Sequence, residues 1–124
     1  MTEKSVLWTY YRSIPQLPSP LVYGDTYYML EDRGGLLTTL DPQTGERIEK
    51  TRLEKATDAY YASPVAGDDK IFLLSQSGIL SVLAKGPSLA PIHTADFGER
   101  CYATPTLEDG NIYLRTETQL YCFE

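Results

Sequence analysis

Hydrophobic residues along this chain fall in short runs that polar turns interrupt at regular intervals. The runs "TYYML", "KIFLL" and "NIYLR" are rich in aromatic and β-branched side chains, which favour strands. Each run follows a turn signal, "GD", "GDD" or "EDG", in which glycine and aspartate accommodate tight backbone geometry. No stretch shows the periodicity of an amphipathic helix. The pattern therefore predicts an all-β chain of short antiparallel strands.

Three copies of one pattern make up the chain. The stretch "YYASPVAGDDKIFLL" begins at Tyr60 and "CYATPTLEDGNIYLR" begins at Cys101, and the fourteen positions after these first residues hold six identities. A more divergent copy, "PSPLVYGDTYYML", begins at Pro18. The copies align three prolines at spacings of 44 and 41 residues: Pro20, Pro64 and Pro105. A period of about 42 residues built from strands is typical of a β-propeller, in which each repeat forms one blade.

The repeats predict three four-stranded antiparallel blades in a single propeller unit, residues 1–124. Their expected bounds are about 17–55, 60–97 and 101–124, and the third repeat stops after its third strand. The N-terminal stretch "SVLWTYY", residues 5–11, aligns with a fourth strand. We predict that this strand completes the last blade, because propellers close their rings by pairing the two chain ends.

Two motifs carry a resemblance to a known family. The opening "SP-V-x-x-D-x-x-I/V-Y/F", the close "G-x-L-x-x-L-D-x-x-T-G" and the fourth strand with its tryptophan resemble pyrroloquinoline-quinone-like (quinoprotein-type) propeller repeats. The chain resembles in particular the C-terminal three blades of an uncharacterised bacterial propeller, over essentially its whole length. The resemblance implies the propeller fold and an exported or periplasmic parent, although Met1–Tyr10 shows no signal peptide. Repeats of this kind occur both in dehydrogenases and in non-catalytic exported propellers.

The number of blades indicates self-association. Propellers have roughly four to eight blades, and three wedge-shaped blades cannot close a ring. Two copies would make a homodimer with a six-bladed ring. The alternatives are an open half-ring or another oligomer, and a fragment that needs the missing blades of a longer parent.

Composition narrows the class of partner. Eleven basic residues against seventeen acidic ones leave a net charge of −6, so we expect no nucleic-acid binding. The apolar runs are far too short to span a bilayer, so we expect no membrane insertion. Another protein or a polysaccharide remains as a possible partner.

We expect no cofactor, no metal site and no enzymatic activity. A quinone site, as the resemblance implies it, would need adjacent cysteines in a disulfide, a tryptophan floor and carboxylates holding calcium. Here Cys101 and Cys122 are 21 positions apart and are predicted to be free thiols, and the single tryptophan, Trp8, falls in an outer strand. His93 is the only histidine, which leaves no ligand set for zinc and no base for a hydrolase triad.

Tyrosine is the one residue type that stands out. Ten tyrosines are present, and several cluster where a fourth strand passes to the next first strand, a region that we expect to form one rim of the propeller. Tyr61 and Tyr102 repeat in register, which favours a packing role between blades, whereas Tyr60 and Tyr11 are the better ligand candidates. Two functions follow: a non-catalytic scaffold that binds protein or polymer through this rim, or part of a propeller that acts on carbohydrate or a related small molecule. The candidate rim residues are Tyr10, Tyr11, Arg12, Tyr60, Tyr61, Arg100 and Tyr102.

Overall fold

The computed structural model describes residues 6–12, 14–15, 18–53, 58–86 and 88–123, and within these ranges it contains eleven strands and no helix. Strands β1 to β4 form blade one, β5 to β8 form blade two and β9 to β11 form blade three. The strands are β1 Leu21–Tyr23, β2 Thr26–Leu30, β3 Leu36–Leu40, β4 Arg47–Arg52, β5 Val65–Gly67, β6 Lys70–Leu74, β7 Ile79–Ala84, β8 Pro91–Asp96, β9 Thr106–Glu108, β10 Asn111–Arg115 and β11 Leu120–Phe123.

Every blade is an antiparallel meander whose strands follow chain order. The repeat extends to fine detail, since the pairing of β3 with β4 shifts register between Thr39 and Leu40, and that of β7 with β8 shifts between Val82 and Leu83. These two positions coincide when the repeats are aligned. The predicted all-β fold of propeller blades is confirmed.

Blade two is apolar on both faces because it is packed between the other two blades. Along β6, Ile71 and Leu73 lie in a cluster shared with blade one, while Phe72 and Leu74 lie in a second cluster shared with blade three. The alternation follows from the strand geometry, in which successive side chains point to opposite faces. Each fully buried side chain of this size contributes about 1.5–3 kcal/mol, so the two clusters hold the blades together.

The first strands of the blades lie side by side, β1 next to β5 and β5 next to β9. A relay of hydroxyl and amide groups joins them just before each strand begins. The Ser19 N–H donates to Ser63 Oγ at 2.8 Å, and the Ser63 N–H donates to Thr104 Oγ1 at 2.9 Å. The relay fixes the register of one blade against the next.

The N-terminal segment does not complete blade three, so this part of the prediction is wrong for the single chain. Residues 6–11 form no strand, and the third sheet has three strands among the residues described. Trp8 lies on blade one instead, where its Nε1–H donates to the Pro42 carbonyl at 2.8 Å. The physical reason is reach: without a closed ring, blade three lies on the far side of blade two from the N-terminus.

We call residues 6–12 and 14–15 the N-terminal strap. The Trp8 ring meets Tyr27 edge-on, with centroids 6.1 Å apart, and the strap covers the face of blade one that points away from blade two. Met29 and Leu40 of that face are buried.

In the described part of the chain there is no helix that could span a membrane.

Candidate protein-binding rim

The turns between second and third strands and the connections between blades lie at the same end of the sheets, because the strands are antiparallel. At this end the structure brings together five side chains, which we call the tyrosine rim: Tyr61, Gln76, Arg100, Tyr102 and Glu117. The rings of Tyr61 and Tyr102 contact each other, with centroids 5.5 Å apart and planes inclined by 45°. The two side chains are 37% and 50% exposed, so both present ring surface to solvent.

The turn that carries Gln76 positions the two tyrosines. Its backbone N–H donates to the Ala59 carbonyl at 2.7 Å, and its carbonyl accepts from the Cys101 N–H at 2.8 Å. One residue thereby holds both connections, the one that leads to Tyr61 and the one that leads to Tyr102. Gly78 closes the turn at a φ of +94°, where an added Cβ would collide with the Glu99 carbonyl, so the close approach requires glycine.

The Tyr102 hydroxyl is the polar centre of the rim. Gln76 Nε2 donates to its oxygen at 3.3 Å, and this bond together with a hydrogen bond from Arg100 lowers the pKa of Tyr102 below its ordinary value of 10.0. Donors that point at the phenol oxygen stabilise its charged form. Since the oxygen accepts from both neighbours, its own proton remains available to an acceptor on a partner.

The rim is shallow. The cavity beside it, between Arg100, Tyr102 and Glu117, measures about 210 Å³, which is below the usual range of small-molecule sites, roughly 300–1,000 Å³.

The nearby carboxylate of Glu99 accepts hydrogen bonds from the hydroxyls of Thr116 and Thr118, which lower its pKa. A carboxylate held ionised in this way braces the turn and is unsuited to donate a proton.

The structure places Tyr60 away from the rim surface. Its side chain has no exposed area and packs in the cluster between blades one and two, and burial together with the charge of Asp58 raises its pKa far above 10.0. Tyr60 was expected to be a good ligand candidate, and this expectation is corrected. The cause is strand-like alternation, which turns Tyr60 inward and its neighbour Tyr61 outward.

Three further candidates belong to the N-terminal strap. Tyr11 is 82% exposed and Arg12 is exposed, whereas Tyr10 lines the cavity under Trp8. In the described part of the chain, no hydrogen bond or ring contact joins these residues to Tyr61 or Tyr102. The seven candidates therefore divide into a rim group (Tyr61, Arg100, Tyr102), a strap group (Tyr10, Tyr11, Arg12) and the buried Tyr60.

Gln76 and Glu117 are rim residues that the sequence reasoning missed. Each is the second residue after the second strand of its blade, a position that Asp32 holds in blade one. Three polar residues in register at a turn were a signal that could have been used.

The groups that could support chemistry are sparse. Among the described residues, no three His, Cys, Asp or Glu side chains are grouped so as to hold a metal ion. Cys101 and Cys122 are free thiols, the first buried and the second exposed. Burial is the main cause that raises the pKa of Cys101, which opposes formation of the reactive thiolate.

Antiparallel blades of three or four described strands, packed face to face with their first strands side by side, define the chain as a β-propeller repeat protein. It belongs to the family of the outer membrane protein assembly factor BamB, whose model matches residues 2–124. The resemblance to pyrroloquinoline-quinone-like propeller repeats is confirmed. No protein of curated function matches the chain.

Solved structures share the fold. BamB from Moraxella catarrhalis is 22% identical, with a TM-score of 0.66 over 84% of this chain and 32% of that one. A europium-containing methanol dehydrogenase is 14% identical, with a TM-score of 0.62 over 77% of this chain and 19% of that one. The quinohemoprotein alcohol dehydrogenase ADHIIG from Pseudomonas putida HK5 is also 14% identical, with a TM-score of 0.64 over 79% of this chain and 16% of that one. The chain thus spans a third of the length of these proteins or less, and the likeness concerns the fold.

Proposed function

We propose that this chain is a non-catalytic propeller scaffold that binds a protein partner through its tyrosine rim. The observation that carries the proposal is the contacting pair Tyr61 and Tyr102, half-exposed on a shallow surface and supported from below by Gln76. Tyrosine combines a large apolar ring with a polar tip, and it is enriched at protein interfaces for that reason. Arg100 beside the pair adds a second residue type that is typical of interface hot spots.

Family membership supports the same function. The family is named for a factor that assembles outer membrane proteins, and such a role requires protein contacts and no bond chemistry. An exported or periplasmic location for this chain is part of the proposal.

Self-association is the second part of the proposal. Blade three presents an uncovered face with Leu120 73% exposed, Tyr113 37% exposed and the thiol of Cys122 exposed. Exposed apolar surface of this kind marks an interaction site. A second copy, forming a six-bladed homodimer, or further blades of a longer parent would cover it.

Site-specific photocrosslinking tests the rim. A photoreactive phenylalanine analogue replaces Tyr61 or Tyr102 in turn, and a matched control replaces the exposed Glu46, which lies in a hairpin at the opposite end of blade one. In cells that produce the protein, we expect a discrete protein adduct at the two rim positions and none at the control. Equal labelling at all three positions would refute the rim as the binding surface.

Carbohydrate binding is the competing function, and saturation-transfer NMR with a panel of polysaccharides separates it from protein binding. Transfer from Tyr61 and Tyr102 to a sugar, without protein adducts in the cell, would favour the carbohydrate function.

Light scattering over a hundredfold dilution tests the homodimer. A mass of twice 13.9 kDa supports it, and a stable mass of 13.9 kDa excludes it.

A further inference from the structure

The surface around the tyrosine rim is rich in hydrogen-bond donors. Four exposed side chains there can donate to a partner: Tyr61, Arg100, Tyr102 and Arg115. Arg115 is the last residue of β10 and borders the rim cavity together with Arg100 and Tyr102. A guanidinium group carries five N–H donors and no acceptor, and a phenol hydroxyl adds one donor. The chemistry of the rim is therefore set mainly by groups that seek an acceptor.

Neither arginine is neutralised within the protein. In the described part of the chain, no carboxylate forms an ion pair with Arg100 or Arg115. Arg100 donates to the Tyr102 oxygen, which also accepts from Gln76 Nε2 at 3.3 Å. The other N–H groups of the two arginines and the proton of the Tyr102 hydroxyl remain available to a partner.

The acceptors at the rim are fewer. Two of its side-chain groups can only accept, the carboxylate of Glu117 and the amide oxygen of Gln76. The neighbouring carboxylate of Glu99 is occupied, because the hydroxyls of Thr116 and Thr118 donate to it. A partner that brings many N–H groups would leave them, and the rim donors, without hydrogen bonds where water is excluded, which costs free energy. The rim is thus complementary to a segment that offers acceptors without donors.

Charge does not select an acidic segment. The two arginines are balanced by two carboxylates in the same region, Glu99 and Glu117. The whole chain carries a net charge of −6. A carboxylate brought to the rim would be attracted by the arginines and repelled by the glutamates. Uncharged acceptors, such as backbone carbonyl oxygens, match this surface better.

The apolar part of the rim is aromatic and bent. The rings of Tyr61 and Tyr102 contact each other with their planes inclined by 45°, and both side chains expose part of the ring. The cavity of about 210 Å³ continues this surface between Tyr102 and Glu117. Its volume suits a single side chain and not a drug-sized ligand. Aromatic surfaces with donors at their edge are the surfaces on which proline-rich segments dock.

We propose that the partner of the tyrosine rim presents a proline-rich segment in the polyproline II conformation. This inference rests on the proposed protein-binding function and names the chemistry of the partner. A polyproline II backbone has no internal hydrogen bonds, so its carbonyl oxygens are free to accept. Proline has no N–H, so the segment brings no donor that the rim would have to satisfy. One pyrrolidine ring packs on Tyr61 and Tyr102, while the Tyr102 hydroxyl and the arginines donate to the carbonyls.

A titration with a synthetic peptide tests the proposal. The probe is APPPPPA, capped at both ends and added to about 5 mM to ¹⁵N-labelled protein, since a short, preorganised peptide is expected to bind with a Kd of about 0.1–1 mM. We expect amide shifts confined to residues 60–62, 75–77, 100–103 and 115–117. The flexible peptide AGSGSGA, which brings N–H groups and no rings, should bind at least about fivefold more weakly. The acidic peptide AEEEEEA should also bind more weakly than APPPPPA.

Matched variants separate the hydroxyl, the ring and the fold. Tyr102→Phe keeps the ring but removes the donor, and it should weaken binding of APPPPPA by about threefold to tenfold. Tyr61→Ala removes one ring of the pair and should weaken binding by a similar factor. The control Tyr113→Phe makes the same exchange in the middle of β10, outside the rim, and should leave the Kd unchanged. Thermal unfolding checks that each variant is folded.

Salt separates neutral acceptors from charged ones. Binding of APPPPPA should change by less than about twofold between 0.05 and 0.5 M salt, because no net charge on the peptide is screened. Four outcomes would overturn the proposal: no shifts at the highest concentration, shifts outside the rim, equal or tighter binding of either comparison peptide, or an unchanged Kd in Tyr102→Phe.

The crosslinking test of the rim does not depend on proline. A protein adduct at Tyr61 and Tyr102, without shifts caused by APPPPPA, would keep the protein-binding function and overturn this inference alone. The absence of both an adduct and peptide shifts would overturn both proposals.

Discussion

Removing the hydroxyl of Tyr28 tests the packing of blade one against blade two without disturbing the apolar core. The Tyr28 side chain is fully buried, and its oxygen accepts from the Gly86 N–H at 2.8 Å and donates to the Gly86 carbonyl at 3.3 Å. A neutral hydrogen bond contributes about 0.5–1.5 kcal/mol net, and the second of the two is long and belongs at the lower end of that range. Tyr28→Phe keeps the ring, so we expect it to destabilise the fold by about 1–2 kcal/mol.

Equilibrium unfolding in urea measures this loss, and the repeat supplies the control. With a denaturant slope of about 2 kcal/mol/M, the middle of the usual range, the midpoint of Tyr28→Phe should fall by about 0.5–1 M at unchanged slope. Tyr113 occupies the same repeat position in blade three, is 37% exposed, and its hydroxyl makes no hydrogen bond within the described part of the chain. Tyr113→Phe should therefore change stability by less than about 0.5 kcal/mol. Equal midpoints for the two variants would refute the reasoning that the Tyr28 hydroxyl joins the blades.

Three other measurements follow from burial. An aromatic disulfide reagent should label the exposed Cys122 at once and Cys101 only after unfolding, since burial shields that thiol and raises its pKa; rapid labelling of both would contradict the structure. Burial likewise raises the pKa of Tyr60, so above pH 10 the unfolded chain loses this proton while the folded chain keeps it. The free energy of unfolding should therefore fall as the pH rises above 10, more steeply in the native chain than in Tyr60→Phe. Parallel pH profiles for the two proteins would contradict this expectation. Trp8→Ala should cost about 1.5–3 kcal/mol in urea unfolding, because a half-buried ring and its bond to Pro42 are lost, and an unchanged midpoint would show that the strap does not hold to blade one.

The repeat explains why the fold could be predicted from the sequence so completely. Each repeat position occurs three times in the sequence. Tyr28, Phe72 and Tyr113 together therefore indicated a strand position, although none of them does so alone. The N-terminal strand was a different matter, because its pattern of side chains shows that it can pair but not which edge it can reach. That depends on whether a ring closes, which is a property of the assembly and not of the segment.

The rim was predicted in part, and the errors have a common cause. Tyr60 and Tyr61 are neighbours of the same type, and composition cannot tell which of them faces the core. The alignment of Tyr60 with Cys101, a residue type that is often buried, was the available signal.

The relay through Ser19, Ser63 and Thr104 has a direction, since each amide donates to the hydroxyl of the following blade. The relay therefore ends in two unlike groups, the hydroxyl of Ser19 at blade one and the N–H of Thr104 at blade three. Copies that extend the relay must join head to tail, through a heterologous contact repeated around the propeller axis. In the proposed homodimer, the relay would continue only in a cyclic ring joined head to tail, whereas a pairing of identical faces would leave the polarity of the relay broken at the joint.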